Sequence, residues 1–220
     1  MTIKQILDNN KIFVMPFLIF ILGGAFFLAI YPLEEGHLLL NKYHNDFFDS
    51  FFKYATYLGD GIVFGIAIVL GLFIRYRISL YAAITGLLTL FLISYISKEL
   101  LFHDYPRPAN VFRNLDIQLH YVKGVKMHMI SSFPSGHTTT AFALYTLLAL
   151  FCKRNVAKLS LFFLAVIAGL SRVYLSQHFV KDIEAGAIVG FITALLVYYY
   201  MNKKTGKNKK LDKSLLNPVN

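Results

Sequence analysis

The chain has 220 residues, of which 56% are hydrophobic and 15% are charged, and its formal net charge at pH 7 is +10. The apolar residues stand in long blocks instead of alternating with polar ones, which excludes a water-soluble globular protein and indicates a polytopic membrane protein. Half of the net charge lies after Met201, in a short basic tail that follows an apolar segment. Such a tail typically lies at the anionic cytoplasmic surface of a membrane. No nucleic-acid partner is therefore expected.

Six apolar blocks come close to the roughly 20 residues that a helical membrane span needs. They cover residues 12–32, 54–74, 78–97, 137–152, 157–175 and 183–201. The sequence therefore predicts an all-α integral membrane protein in which residues 1–201 form a bundle of six transmembrane helices. Residues 202–220 are expected to form a disordered, basic cytoplasmic tail. Glycine pairs with small-xxx-small spacing at Gly61 and Gly65, and at Gly186 and Gly190, predict close helix contacts.

The charges of the connecting segments predict the orientation of the bundle. The N-terminus, the second and fourth connections and the tail are basic, whereas the first connection is net acidic. Both termini are therefore expected in the cytoplasm, and the first, third and fifth connections on the outer side. Within the first connection, residues 33–53 mix apolar and charged positions, which fits either an interfacial helix or an extension of the second span.

The third connection, about 98–136, contains two stretches in which apolar and polar residues alternate. Leu115–Tyr121 and Val125–Met129 flank Lys123-Gly124, and alternation on both sides of a glycine-containing turn predicts a β-hairpin. His120 and His128 fall on its polar face and are expected to be solvated rather than to bind a metal.

Pro134–His137 reads Pro-Ser-Gly-His and directly precedes an apolar helix. The free N–H groups at such a helix N-terminus can bind a phosphate or another oxyanion, with the Ser135 hydroxyl as a further donor and His137 in the first turn. An ordinary serine N-cap followed by a surface histidine remains an alternative at this stage.

Two cations precede this turn on the same side of the membrane. Arg107 lies between Pro106 and Pro108, which stiffen the backbone, and a guanidinium can bind two phosphate oxygens at once. Lys98 could add a mobile positive charge, or it could simply extend from a helix end to the membrane interface.

Ser171–Asp182 interrupts the apolar sequence between the fifth and sixth blocks, and ionisable residues at such a boundary indicate a functional site. His178 and Asp182 are four residues apart, a helical spacing that lets a carboxylate hold one imidazole nitrogen protonated and leave the other free. Arg172 lies six residues before His178, so the chain must bend if both residues serve one site.

Together these three stretches resemble the pattern of the type 2 phosphatidic acid phosphatase family, membrane lipid phosphatases that share an active site with vanadium haloperoxidases. That pattern is Lys-x6-Arg-Pro, then Pro-Ser-Gly-His, then Ser-Arg-x5-His-x3-Asp. The second and third blocks are complete, whereas eight residues rather than six separate Lys98 from Arg107. Either an insertion still lets Lys98 reach the site, or Arg107 acts with Arg172 and without the lysine.

The resemblance implies a metal-independent lipid phosphatase that needs no cofactor. His178 would be the nucleophile that forms a phosphohistidine, Asp182 would orient it, and His137 would protonate the leaving oxygen and then activate water. The implied phosphate-binding residues are Lys98, Arg107, Ser135, Gly136 and Arg172.

The expected substrate is a lipid phosphomonoester or pyrophosphate, because the site should lie at headgroup level on the outer face. Phosphatidic acid, phosphatidylglycerol phosphate, a polyprenyl pyrophosphate and a lipid A type substrate are all compatible. The expected location is a bacterial inner membrane with the site on the periplasmic face. A lipid phosphotransferase that uses the same histidine, and a non-catalytic lipid-binding membrane protein, stay open as alternatives, as does the oligomeric state.

Overall fold

A computed structural model describes residues 1–217, and within that range the protein is almost entirely helical and contains no β-strand. A π-helix, Phe91–Leu101, continues α6, and short 3₁₀ turns occur at Thr56–Gly59 and Lys209–Asp212. The α-helices of the described residues are, in chain order, α1 Ile3–Asp8, α2 Lys11–Ile30, α3 Leu33–Asn41, α4 Asp46–Ala55, α5 Gly61–Ile74, α6 Tyr76–Leu90, α7 Pro108–Asn114, α8 Gly136–Phe151, α9 Asn155–Tyr174 and α10 Val180–Thr205.

Three helices of the described chain are long and apolar enough to cross a membrane, and a fourth span results if one bent pair is counted. The three are Lys11–Ile30, Tyr76–Leu101 and Asn155–Tyr174, and the bent pair, Asp46–Gly59 with Gly61–Ile74, turns by 52°. The other two predicted spans are also helices, α8 and α10, but they do not meet this criterion. With 16 residues, α8 is only about 24 Å long, less than the roughly 30 Å hydrocarbon core. The count of six spans therefore stays a prediction.

The buried helix α8 forms the centre of the bundle, with α9 and α10 packed on it. The glycine pair of α10 makes this packing possible. A Cβ atom at Gly186 would lie 2.7 Å from the Ser135 carbonyl oxygen, and one at Gly190 would lie 2.4 Å from that of Thr139. The close contact predicted for this pair is confirmed, and it brings the start of α10 against the start of α8. For Gly61 and Gly65 the prediction is wrong, because nothing lies within 4 Å of either Cβ position.

The predicted β-hairpin is not formed. Its turn exists, with Gly124 at a φ of +79° and the Val125 N–H bonded to the Val122 carbonyl at 3.2 Å, but the two flanks do not pair. The reason is that other segments use their backbone groups. The Asn41 side chain bonds both the N–H and the carbonyl of His120, and the Lys126 carbonyl accepts from Gln177.

The two histidines of this segment also differ from each other. His128 is exposed, as expected, whereas His120 is half-buried, bonds the Asp49 carboxylate at 2.8 Å and stacks on His44. The third connection therefore packs against α3 and α4, the two helices that occupy most of residues 33–53.

The C-terminal tail differs from the expected disorder over its described part. Beyond α10 it folds back, and Asp212 bonds the buried Arg77 guanidinium twice, at 2.9 and 3.0 Å. The Leu215 N–H donates to the Leu72 carbonyl at 2.8 Å, which ties the tail to the end of α5. Residues 218–220 of the predicted tail lie outside the described residues.

Candidate active site

The segment between α9 and α10 supplies the bend that the sequence requires between Arg172 and His178. Helix α9 ends at Tyr174, Ser176 adopts a φ of +51°, and α10 begins at Val180. The N–H groups of Gln177 and His178 both donate to the Arg172 carbonyl, at 2.9 and 3.1 Å. This tight turn, residues 175–179, is called the histidine loop below, and it places the imidazole of His178 in the protein interior.

His178 and Asp182 form the pair that their spacing predicts. The imidazole Nδ1 lies 3.5 Å from the Asp182 Oδ2, and both side chains are almost fully buried. Burial, followed by the positive charges of nearby cations, lowers the pKa of His178 well below its usual value of 6.5. The imidazole is therefore neutral at neutral pH, and a proton held on Nδ1 by the carboxylate leaves Nε2 unprotonated and able to act as an acceptor.

Arg107 lies directly beside that nitrogen. Its Nη1 is 3.3 Å from the His178 Nε2 and also donates to the Gln177 carbonyl at 3.0 Å. The remaining donors bond the carbonyl groups of Ile130, at 2.8 Å, and Ser131, at 3.2 Å. The guanidinium thus fastens the loop before the Pro134 turn to the histidine loop and donates to the unprotonated Nε2 of His178.

The Pro134–His137 turn begins α8 and lies against the same pair. The Ser135 hydroxyl accepts hydrogen bonds from the N–H and hydroxyl of Thr138, at 3.4 and 2.9 Å, so its own proton can be donated to another acceptor. The Ser135 N–H donates to the Asp182 carbonyl at 3.0 Å, which joins the second and third sequence blocks. His137 is half-buried in the first turn of the helix.

Lys98 reaches this turn despite the longer spacing to Arg107. A Cβ atom on Gly136 would lie 3.6 Å from the Lys98 Nζ, so the ammonium group stands over the N-terminus of α8. Three of the eight intervening residues, 99–101, continue the π-helix. A π-helix bonds i to i+5 and so takes up more residues per turn than an α-helix. The structure therefore brings the Lys98 ammonium group to the start of α8 despite the eight-residue spacing, and its role in binding phosphate stays a prediction.

Arg172 reaches the site from α9 and still has an unpaired donor. Its Nη1 donates to the Thr56 hydroxyl at 2.6 Å, whereas its buried Nε has no hydrogen-bond partner among the described residues. A buried N–H group without an acceptor is costly, and an oxyanion would supply one. Within residues 1–217 no three His, Cys, Asp or Glu side chains are grouped as a metal would need.

Sequence reasoning missed three residues that shape the site. Thr56 and Gly59 belong to the 3₁₀ turn between α4 and α5, and a Cβ atom at Gly59 would lie 2.6 Å from the His137 carbonyl oxygen. Ser132 is buried and donates to Asp182. The only sequence signal for Ser132 was its position two residues before Pro134, and nothing in the sequence linked residues 56–59 to the site.

The comparisons with known proteins show the family to which these sequence blocks belong. The sequence model of the PAP2 superfamily matches residues 78–206, more than half of the chain, and this range contains all three blocks. The chain is 39% identical over 98 residues to the "Probable lipid phosphate phosphatase 4" of Arabidopsis thaliana, over 39% of this chain and 32% of that protein. It is 36% identical over 89 residues to the "Lipid A 1-phosphatase" of Porphyromonas gingivalis, over 38% of this chain and 20% of that protein.

The matched region thus spans a third or less of the length of these two relatives. Among solved structures, the chain is similar to the first transmembrane PAP2 type phosphatidylglycerolphosphate phosphatase from Bacillus subtilis, with a TM-score of 0.59. The match covers 90% of this chain and 97% of that chain at 21% identity, which shows a shared fold.

Proposed function

Because the chain belongs to the PAP2 superfamily, we propose that this integral membrane protein hydrolyses a lipid phosphomonoester or pyrophosphate through a phosphohistidine intermediate. The observation that carries the proposal is the surroundings of the His178 Nε2. This unprotonated nitrogen accepts a hydrogen bond from the Arg107 Nη1 at 3.3 Å, in a site that also receives Lys98, Arg172 and the N-terminus of α8.

In the first step, the Nε2 lone pair of neutral His178 attacks phosphorus as the bond from phosphorus to the leaving oxygen breaks. Protonated His137, whose charge the bound phosphate stabilises, gives its proton to the leaving oxygen and becomes neutral. Asp182 holds the Nδ1 proton and stabilises the charged ring that forms. In the second step, His137 accepts a proton from water, the water oxygen attacks phosphorus, and the phosphorus–nitrogen bond breaks. Inorganic phosphate leaves, and both histidines return to their starting states.

The phosphate-binding groups stabilise negative charge on the three equatorial oxygens, the main requirement of phosphoryl transfer. Arg172 offers its unpaired Nε and Lys98 its ammonium group, and the start of α8 adds the Gly136 N–H and the Ser135 hydroxyl as donors. Loss of one such donor typically costs about 10²- to 10³-fold in rate. Cations and N–H groups bind the phosphate directly, which supports a reaction without a metal ion.

The names of the relatives support a lipid substrate, since one is a lipid phosphate phosphatase and another a lipid A 1-phosphatase. Phosphatidic acid, phosphatidylglycerol phosphate, a polyprenyl pyrophosphate and lipid A are the candidates. The charges of the connecting segments support a bacterial inner-membrane orientation with cytoplasmic termini and a periplasmic site.

The test compares purified wild type, His178→Ala and the control His103→Ala, whose imidazole is exposed and bonds Asp104. Each protein is incubated with the four lipid phosphates, and released phosphate is measured with and without vanadate or a metal chelator. Wild type and the control should release phosphate from at least one lipid, with inhibition by vanadate and no effect of chelator. His178→Ala should release none.

Rapid acid quenching with radiolabelled lipid phosphate adds a direct measurement of the intermediate. Label should attach to wild type and not to His178→Ala. Label without phosphate release would indicate a phosphotransferase, and lipid binding that is unchanged in His178→Ala without any label would indicate a non-catalytic protein. Phosphate release that persists in His178→Ala, or that stops with chelator, would refute the proposal.

A further inference from the structure

Ser132 lies where the three sequence blocks meet, although it belongs to none of them. Its side chain is buried, and its backbone N–H donates to the Tyr105 carbonyl at 3.0 Å, next to the Pro106-Arg107 block. Its hydroxyl donates to the Asp182 Oδ2 at 2.5 Å, the shortest side-chain contact of that carboxylate. The residue thus connects the segment of the first block, the approach to the Pro134 turn and the aspartate of the third block.

The same hydroxyl also faces the imidazole. The Ser132 Oγ and the Asp182 Oδ2 each lie 3.5 Å from the His178 Nδ1, so the three atoms form a triangle with one short side. A serine hydroxyl carries one hydrogen and two lone pairs. Because its hydrogen is directed to the carboxylate, a lone pair remains to accept the Nδ1 proton. Both contacts to Nδ1 are long, and hydrogen bonds of this kind shorten when a substrate binds.

We propose that Ser132 is a positioning residue for His178: its hydroxyl bridges the Nδ1–H and the Asp182 carboxylate and keeps the Nε2 lone pair directed at phosphorus. This inference rests on the proposed function. Ser132 does not need to touch the substrate, since it acts through Asp182 and through the side of the imidazole that faces away from the phosphate.

The partners of Asp182 explain why the carboxylate needs this bond. Its Oδ2 accepts from Ser132 and from the Phe179 N–H at 2.9 Å, whereas its buried Oδ1 has no hydrogen-bond partner among the described residues. Without the hydroxyl, only the Phe179 N–H and the more distant His178 Nδ1, at 3.5 Å, oppose rotation of the carboxylate. A rotated carboxylate no longer fixes the proton on Nδ1, and the tautomer with a proton on Nε2 cannot attack phosphorus.

The kinetic test uses dioctanoyl phosphatidic acid as the probe with wild type, Ser132→Ala, Ser132→Thr and the control Ser160→Ala. Ser160 is an exposed serine in the first half of α9, away from the histidine loop at the other end of that helix. Ser132→Ala should lower kcat about 10- to 100-fold, the equivalent of one hydrogen bond to a charged group, and leave KM within about twofold. Ser132→Thr, which retains a hydroxyl, and Ser160→Ala should keep most of the activity.

A double-mutant cycle tests whether Ser132 acts through Asp182. In an Asp182→Asn background, the added Ser132→Ala change should lower kcat less than about threefold, because the bridge is already broken. A full, additive loss in that background, or a kcat of Ser132→Ala within twofold of wild type, would overturn the inference. If Ser132→Ala does not fold, the near-isosteric Ser132→Cys takes its place with the same criteria.

A readout without turnover separates this inference from the proposed function. In ¹⁵N NMR of histidine-labelled protein, with the His178 signals assigned by difference from His178→Ala, wild type should show a protonated Nδ1 and a bare Nε2. Ser132→Ala should show a mixture of tautomers, and an unchanged spectrum would overturn the bridge. If His178→Ala keeps phosphatase activity while the spectrum changes as expected, the proposed function fails and the bridge stands.

Discussion

Replacing Gly190 by alanine is expected to push helices α10 and α8 apart and to disturb the candidate site, which begins two helical turns away at Asp182. A Cβ atom there would lie 2.4 Å from the Thr139 carbonyl oxygen and 2.8 Å from the Ala143 nitrogen. Ordinary contacts begin near 3.4 Å, so α10 and α8 must separate locally by about 1 Å. Both clashing atoms belong to a helix backbone and cannot rotate away as a side chain could.

The cost follows from two opposing effects. Overpacking of this kind costs typically 1–3 kcal/mol, whereas alanine gains about 1 kcal/mol of helix propensity over glycine. Gly65→Ala is the matched control, because it has the same sequence spacing but an open Cβ position. Gly65→Ala should therefore be neutral or stabilising. The free energies of unfolding of the two variants should differ by about 2 kcal/mol, which corresponds to about 4–8 °C in unfolding temperature for a chain of this size.

Gly190→Ala and Gly65→Ala should also differ in phosphatase activity. Asp182 lies two turns before Gly190, and its carbonyl bonds the Ser135 N–H at 3.0 Å. A displacement of about 1 Å at a catalytic group can cost about 100-fold in rate, so Gly190→Ala should lose at least about tenfold in kcat. Thermal unfolding in detergent and release of phosphate from lipid phosphate measure the two effects. A Gly190→Ala protein as stable and as active as Gly65→Ala would refute the packing argument.

Three further predictions concern single side chains. Arg107→Lys should lower kcat/KM at least about 100-fold in the phosphate-release assay. The reason is that an ammonium group cannot reproduce the planar guanidinium, which bonds three carbonyl groups and faces His178. The control Arg113→Lys, at an exposed position, should stay near wild type in the same assay. Lys98→Met should lower kcat/KM about tenfold or more, because it removes a positive charge next to the start of α8. The control Glu99→Gln, at the exposed neighbouring residue, should not lower it. Equal activity of the two variants would show that the lysine does not act in the site. Burial lowers the pKa of His37 to about 4, so the unfolded chain binds a proton between about pH 6.5 and 4 that the folded protein does not. The free energy of unfolding should therefore fall by up to about 3 kcal/mol as the pH drops across that window. The unfolding temperature should depend less on pH in His37→Gln than in wild type. An equal pH dependence of the two proteins would contradict this prediction.

The second and third sequence blocks could be placed from sequence because their geometry is local. A serine before a helix caps its first turn, which the Ser135 contacts with Thr138 show. Histidine and aspartate four residues apart meet when a helix starts between them, as α10 does at Val180. Such spacings depend on backbone geometry within one or two turns, which the sequence fixes directly.

The loop before the Pro134 turn could not be placed in the same way. Its alternating pattern favours a hairpin, but Asn41, Gln177 and Arg107 take the backbone groups that the two strands would have shared. These partners come from residues tens of positions away in the chain. The alternation of apolar and polar residues along a segment indicates which side chains face a core. It does not indicate which side chains from distant parts of the chain bond the backbone groups of that segment.

The sequence alone determined that this is a helical membrane protein, and it predicted which histidines, arginines and aspartate form the candidate site, because composition and short spacings carry that information. Only the tertiary structure decided that Lys98 reaches the start of α8, that Thr56 and Gly59 border the site, and that Ser132 joins Asp182. Those contacts depend on the separation of helices packed through Gly186 and Gly190, and a distance of that kind is set by the whole bundle rather than by any one segment.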